Sequence, residues 1–135
     1  MTISISSGTF SAANADHVLP TKHPGIYAGE ALGVGDACFI HTDGKVYQCD
    51  ATDHTITGSA AMSKFDGFAA DDYVANTEPV TLFARGSVLN YAASLTPGNL
   101  YWNGNTQGAL ETSPVLSGDE PVAKAVNTTD ILVLR

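Results

Sequence analysis

Positive charge is scarce in this chain. Six Lys and Arg stand against fourteen Asp and Glu, a formal net charge of −8 over 135 residues. Nucleic-acid binding draws its affinity from clustered cations that displace counterions, so composition argues against it. An anionic membrane surface would repel the chain as well. Long apolar runs are missing too: no segment approaches the roughly 18 to 20 continuous apolar residues of a membrane-spanning helix. The opening stretch "MTISISSGTF" lacks the basic, apolar, small-residue order of a signal peptide, so the expectation is a soluble protein made without that leader. Charged residues amount to only 15%, which leaves no long Glu/Lys/Leu/Ala pattern for a helical bundle.

What is present suits β-structure. Short apolar runs alternate with Gly, Pro, Asn, Ser and Thr, and strands are expected near 26–31, 36–41, 45–50, 66–70, 79–85, 87–91, 99–102, 108–111, 121–126 and 130–135. The fold expected is all-β, a small barrel or sandwich, with at most one short helical turn around Ser59 to Lys64. Residues 1–25 carry little apolar surface and are broken by Pro20 and Pro24. They read as an extended N-terminal arm on a single β-domain spanning 26–135. A chain of this length buries about two-thirds of its unfolded surface, enough for a core without staples.

The sharpest local expectation is a hairpin in "ACFIHTDGKVYQC". Asp43-Gly44 between alternating runs favours a two-residue type I′ turn. Counting outward places Thr42 opposite Lys45, Ile40 opposite Tyr47, and Cys38 opposite Cys49. That register allows a cross-strand disulfide, whereas a three-residue loop would separate the two sulfurs. The compartment argument favours reduced cysteines packed as small apolar groups.

Candidates for chemistry are thin. His17, His23, His41 and His54 form none of the short metal-ligand spacings. Asp71-Asp72 and the group Asp50, Asp53 and Asp66 lack the alternating acidic positions of a calcium loop and read as solvated carboxylates. Gly33 and Gly35 precede a strand, not a helix, which is the wrong order for a dinucleotide fingerprint. No serine sits in a nucleophile elbow. The expectation is a protein that is not an enzyme and takes no cofactor or metal. Tyr101 and Trp102 are neighbours on a strand, so only one ring can enter the core and the other is offered for contact.

The order of pieces resembles the small capsid decoration, or cement, proteins of tailed bacteriophages. The resemblance runs from Ile26 to Arg135 and rests on Gly35-Asp36, Asp43-Gly44, Phe65 to Ala69, Val80 to Gly86, Leu95 to Tyr101, and Val122 to Ala125 followed by Ile131 to Leu134. Lys124 stands where that family often has a glycine, and Cys38 and Cys49 are not features of it. The resemblance implies a β-tulip or barrel-like domain on the outer surface of the virion head. There it would bind the major capsid protein as a homo-oligomer, a trimer or alternatively a dimer, and stabilise the mature shell. The arm, with Ile3, Ile5 and Phe10 as anchors, would then pair with a capsid strand. The alternative is a carbohydrate- or receptor-binding β-module of a tail fibre or adhesin, using Tyr101 and Trp102 as stacking residues.

Overall fold

The computed structural model describes residues 2–3, 11–14, 18–20, 26–52, 64–77 and 79–135. It is all-β, and no helix occurs among the described residues. In chain order the strands are β1 (Thr2–Ile3), β2 (Ser11–Asn14), β3 (Val18–Pro20), β4 (Ala37–Ile40), β5 (Val46–Gln48) and β6 (Gly67–Ala69). They continue as β7 (Thr81–Phe83), β8 (Val88–Asn90), β9 (Leu100–Asn103), β10 (Leu110–Glu111), β11 (Ala123–Ala125) and β12 (Asp130–Val133). Two sheets result, ordered β1-β10-β9-β11-β12-β8-β2 and β3-β7-β6-β4-β5. The expected run at 26–31 makes isolated bridges only, Tyr27 to Pro79 and Ala28 to Val46. Of the expected helical turn, Lys64 is not helical and residues 59–63 lie outside the described residues.

The two-residue period of each strand sorts side chains between two cores. Ala37 and Phe39 of β4, Tyr47 of β5 and Phe68 of β6 meet Leu89, Tyr101, Ala123, Ala125, Ile131 and Val133 of the larger sheet. This shared core holds the sheets together. The alternate positions Cys38, Val46, Ala69 and Leu82 face the other way and pack with Ala28, Leu32, Tyr73 and Val80. β4 and β6 are therefore buried on both faces, which explains why β4 is apolar along its whole length. Its cover is stitched by Leu32 and Tyr73, each donating its N–H to the other's carbonyl at 2.9 Å, and by Val80 N–H to Ile26 O at 2.9 Å.

The hairpin forms, but with a different register. Cys38 pairs with Gln48, Phe39 with Tyr47 and Ile40 with Val46, so the loop is Thr42-Asp43-Gly44, three residues instead of two. A type I′ turn needs positive φ at both central residues, and here Gly44 takes φ 81° while Asp43 does not turn positive. His41 N–H donates to Lys45 O at 2.8 Å and Gly44 N–H to His41 O at 2.9 Å, which closes the turn. Asp43 steadies it, accepting from Lys45 N–H at 2.9 Å and from the Tyr47 hydroxyl at 2.7 Å.

The shifted register sends the two cysteines to opposite faces of the smaller sheet. Both are free and buried. Cys38 donates weakly to Asp36 O at 3.3 Å and Cys49 to Lys64 O at 2.9 Å. Burial above all pushes both thiols well above the ordinary range, aided by nearby Cys49 and Asp36 for the first and by Asp66 and Asp50 for the second. Thiolate is the reactive species. A thiol reagent at neutral pH is expected to label neither cysteine in the native protein and both in denaturant; rapid labelling of the folded chain would contradict the burial.

The described parts of residues 1–25 are extended, and each pairs with a strand of the domain. β1 pairs with β10, β2 with β8 and β3 with β7, all antiparallel. Among the described residues, three of the four sheet edges thus come from this segment. The fourth edge, β5, is sealed locally: Val46 N–H donates to Tyr27 O at 3.0 Å, Gly29 N–H to Val46 O at 2.8 Å, and Gln48 N–H to a Glu30 carboxylate oxygen at 2.9 Å.

Candidate interaction surface

An antiparallel sheet with one face on a core normally turns polar residues outward. The seven-stranded sheet does so only in part. Lys124 of β11 lies opposite Leu100 of β9 on one side and Leu132 of β12 on the other, and Leu132 lies opposite Val88 of β8. This straight row across four strands is apolar at three positions of four. Leu100 is 37% exposed, and Val126, two residues beyond Lys124, is 44% exposed. The pattern follows from alternation, since Tyr101, Ala123, Ala125, Ile131 and Leu89 occupy the inward positions between them.

Trp102 belongs to the same face, two residues along from Leu100, with Glu111 opposite it and Thr2 beyond. Its indole N–H donates to Asp119 O at 3.2 Å, which fixes the ring against the 116–120 turn. Thr2 in turn hydrogen-bonds Glu111. Tyr101 is 2% exposed and lies in the shared core. Of the two aromatics offered for contact, the structure therefore leaves Trp102 alone on the surface. Ile3 is partly buried against the same core and paired with Leu110, so its side chain is used by its own domain. Ile5 and Phe10 lie outside the described residues.

Charge on the face is sparse. Lys124 is exposed at the centre of the row. At one end Asp130 accepts from Asn90 and Asn127, each at 2.9 Å. Those bonds, Asn127's first, outweigh partial burial and hold its carboxyl below the usual range. At the other end a polar recess of about 290 Å³ is lined by Lys64, Asn103, Gly118, Asp119, Glu120 and Arg135, with an Arg135–Glu120 ion pair at 3.2 Å.

Elsewhere the carboxylates singled out in the sequence hold turns. Asp72 accepts from Val34 N–H at 2.8 Å, Asp66 from Ile40 N–H at 2.7 Å, and Asp50 from Thr52 N–H at 2.9 Å. Asp53, His17, His23 and His54 lie outside the described residues. His41 meets Phe39 and Tyr47 edge to face, with ring centroids at 5.9 and 5.5 Å. Burial, reinforced by the Asp43 bond, pushes the Tyr47 hydroxyl up to about 12. Among the described residues no group of three or more His, Cys, Asp or Glu is arranged to hold a metal ion.

Asp36, which the sequence marks only within the Gly35-Asp36 pair, is a half-buried carboxylate. Its Oδ2 accepts from Gly33 N–H at 2.7 Å and Gln48 Nε2 at 2.6 Å, tying the 33–36 turn to β5. Burial raises its carboxyl above the usual range, against those two bonds and with Glu30 and Asp72 adding to the rise. The native state therefore binds this proton at a pH where the unfolded chain does not, and stability falls as pH rises through that window. Asp36→Asn keeps an acceptor and removes the charge, so it is expected to match or exceed wild-type stability at pH 7, with the difference shrinking on acidification. Asp36→Ala strands the two donors and is expected to lose about 1–3 kcal/mol. Urea titrations at pH 7 and pH 4.5 distinguish the two; an Asn variant as damaged as the Ala variant would contradict this account.

No protein-family model matches the chain, and no curated protein or solved structure is similar to it at a significant level.

Proposed function

We propose that this protein is a capsid decoration protein of a tailed phage, binding the outer surface of the major capsid protein shell and stabilising the mature head. The observation that carries the reading is the in-register apolar row Leu100, Leu132 and Val88 around Lys124, flanked by Trp102, on the seven-stranded sheet. Apolar and aromatic residues gathered on one face are what a protein contact uses. The residue order from Gly35-Asp36 to the final strand, which resembles that of cement proteins, supports the same reading. In it the domain works without a reaction, as a homo-oligomer, with a trimer as the expected assembly and a dimer as the alternative. Clustering of copies then multiplies modest contacts.

The proposal is tested on virions and on shells stripped of this protein. Electron microscopy is expected to find density on the outside of the head at local three-fold or two-fold axes. Leu100→Asp and Trp102→Ala are expected to reduce occupancy on stripped shells at least tenfold while circular dichroism and thermal midpoint stay near wild type. Density at the tail, or full occupancy by both variants, would overturn it.

A second reading has its own observation. The polar recess of about 290 Å³ beside Trp102, lined by Asn103, Asp119, Glu120, Lys64 and Arg135, offers the mixed donors and acceptors that a sugar requires. In that reading the chain is a carbohydrate- or receptor-binding module of a tail fibre or adhesin. Glycan-array binding that is lost on Trp102→Ala, with the protein found at the tail, would favour it over the head.

A further inference from the structure

Residues 2–20 provide β1, β2 and β3, which close β10, β8 and β7. No other described strand lies beyond these three, so one short segment guards the outer edges of both sheets. The remaining edge, β5, is guarded by residues 27–30, which continue directly into the domain. We propose that the N-terminal segment is exchanged between copies, its strands adding to β10, β8 and β7 of a second chain in the registers they hold within one chain. This inference does not rest on the virion reading.

Three observations carry it. Of β1, Ile3 is only partly buried and packs against the shared core from its margin. Undocking the described part of β1 therefore removes little of either core. Two of the three pairings are also short or unevenly registered: β1 has two residues, and β2 meets β8 at Ser11↔Asn90 and Asn14↔Val88 with a shift between, while β3 meets β7 in three even pairs. Short, irregular strands are weakly held in register and prone to exchange.

The third observation selects the occupant. A bare β10, β8 or β7 edge would accept any extended chain through its backbone, but the sequence that fits all three together is the one already seated there. Exchange with a second copy reproduces every ladder bond, so no pairing is lost. What differs is the entropy of association, which concentration offsets. The join from Pro20 to Ile26 spans six residue steps, at most about 21 Å when extended. Partners must then sit edge to edge, as neighbours in a ring do.

Thr2 and Glu111 are direct cross-strand partners, so Thr2→Cys with Glu111→Cys places two sulfurs at disulfide distance whether the segment docks on its own chain or another. The double variant is made with heavy and light isotopes, and the two are mixed, unfolded, refolded at micromolar or near-millimolar concentration, and oxidised. At low concentration the linked peptides are expected to share one label. At high concentration the fraction of all links that join heavy to light is expected to rise at least tenfold, towards a ceiling of one half. Same-label links at every concentration, or no link at any, would overturn the proposal. Wild-type protein gives a second measure free of the substitutions: after refolding at high concentration it is expected to yield a dimer or trimer that persists for hours on dilution. Monomer alone, or an oligomer that disperses at once, would equally overturn it.

Discussion

Phe68→Ala is expected to destabilise the protein by about 3–5 kcal/mol, the range for truncating a fully buried aromatic ring. Phe68 sits at the centre of β6 with no exposed surface. Its ring meets Phe65 edge to face at 5.0 Å and, across the shared core, Tyr91 at 5.7 Å. Tyr91 directly follows β8, so this ring contact joins the smaller sheet to the larger one. Removing it leaves a cavity at the junction of the two sheets, where neither backbone can close in without breaking its own ladders. Urea unfolding is the measurement, with Phe68→Leu as a partner variant that keeps most of the volume and should cost under about 1.5 kcal/mol. A loss below about 1 kcal/mol for the alanine variant would mean that the sheets do not depend on a common core.

The second large effect is expected from adding a single methyl group. Gly67 opens β6, between β4 and β7, and a Cβ there would lie 2.8 Å from Phe83 O and 2.9 Å from Leu82 Cβ. The first of these atoms is backbone and the second is the base of a buried side chain, so neither can swing aside. Gly67→Ala must therefore push β7 from β6 or twist β6 out of line with β4, at about 3 kcal/mol, the upper end for overpacking. Gly67→Val, with two further carbons, should leave little folded protein. Thermal midpoints and soluble yield report both; an alanine variant with an unchanged midpoint would show that β6 and β7 have slack the geometry does not suggest.

Much of the fold could be read from the chain because alternation survives where a strand has one buried and one open face. β9, β11 and β12 show it in Tyr101 against Trp102, Ala123 and Ala125 around Lys124, and Ile131 and Val133 around Leu132. Runs near 36–41, 45–50 and 66–70 are found as β4, β5 and β6, although burial on both faces of β4 and β6 blurs the alternation there.

The hairpin register escaped because Asp43-Gly44 serves equally in a two-residue turn and at the end of a three-residue one. Only Gly44's positive φ, without Asp43's, decides between them. The N-terminal strands escaped for another reason. "SAAN" and "VLP" are too short and mixed to signal a strand, and they are extended because an existing edge receives them. The interaction face was half legible: the Tyr101-Trp102 pair divides as strand geometry requires. Its row, however, joins residues 88, 100, 124 and 132, and that alignment depends on strand order, which no local pattern encodes.

The position of β12 bears on how the molecule is made. It lies between β11 and β8, and they meet in the sheet only through it. Translation runs from the N-terminus, so β8 and the strands after it wait for residues 130–133 before the larger sheet can join. β1, synthesised first, waits for Glu111, its partner 109 residues later. Non-local pairing of this kind folds slowly. Stalling the ribosome with residue 125 just outside the exit tunnel would hold a chain whose smaller sheet is complete in sequence and whose larger sheet is not, with β8 paired to β2 on one side and still lacking β12 on the other.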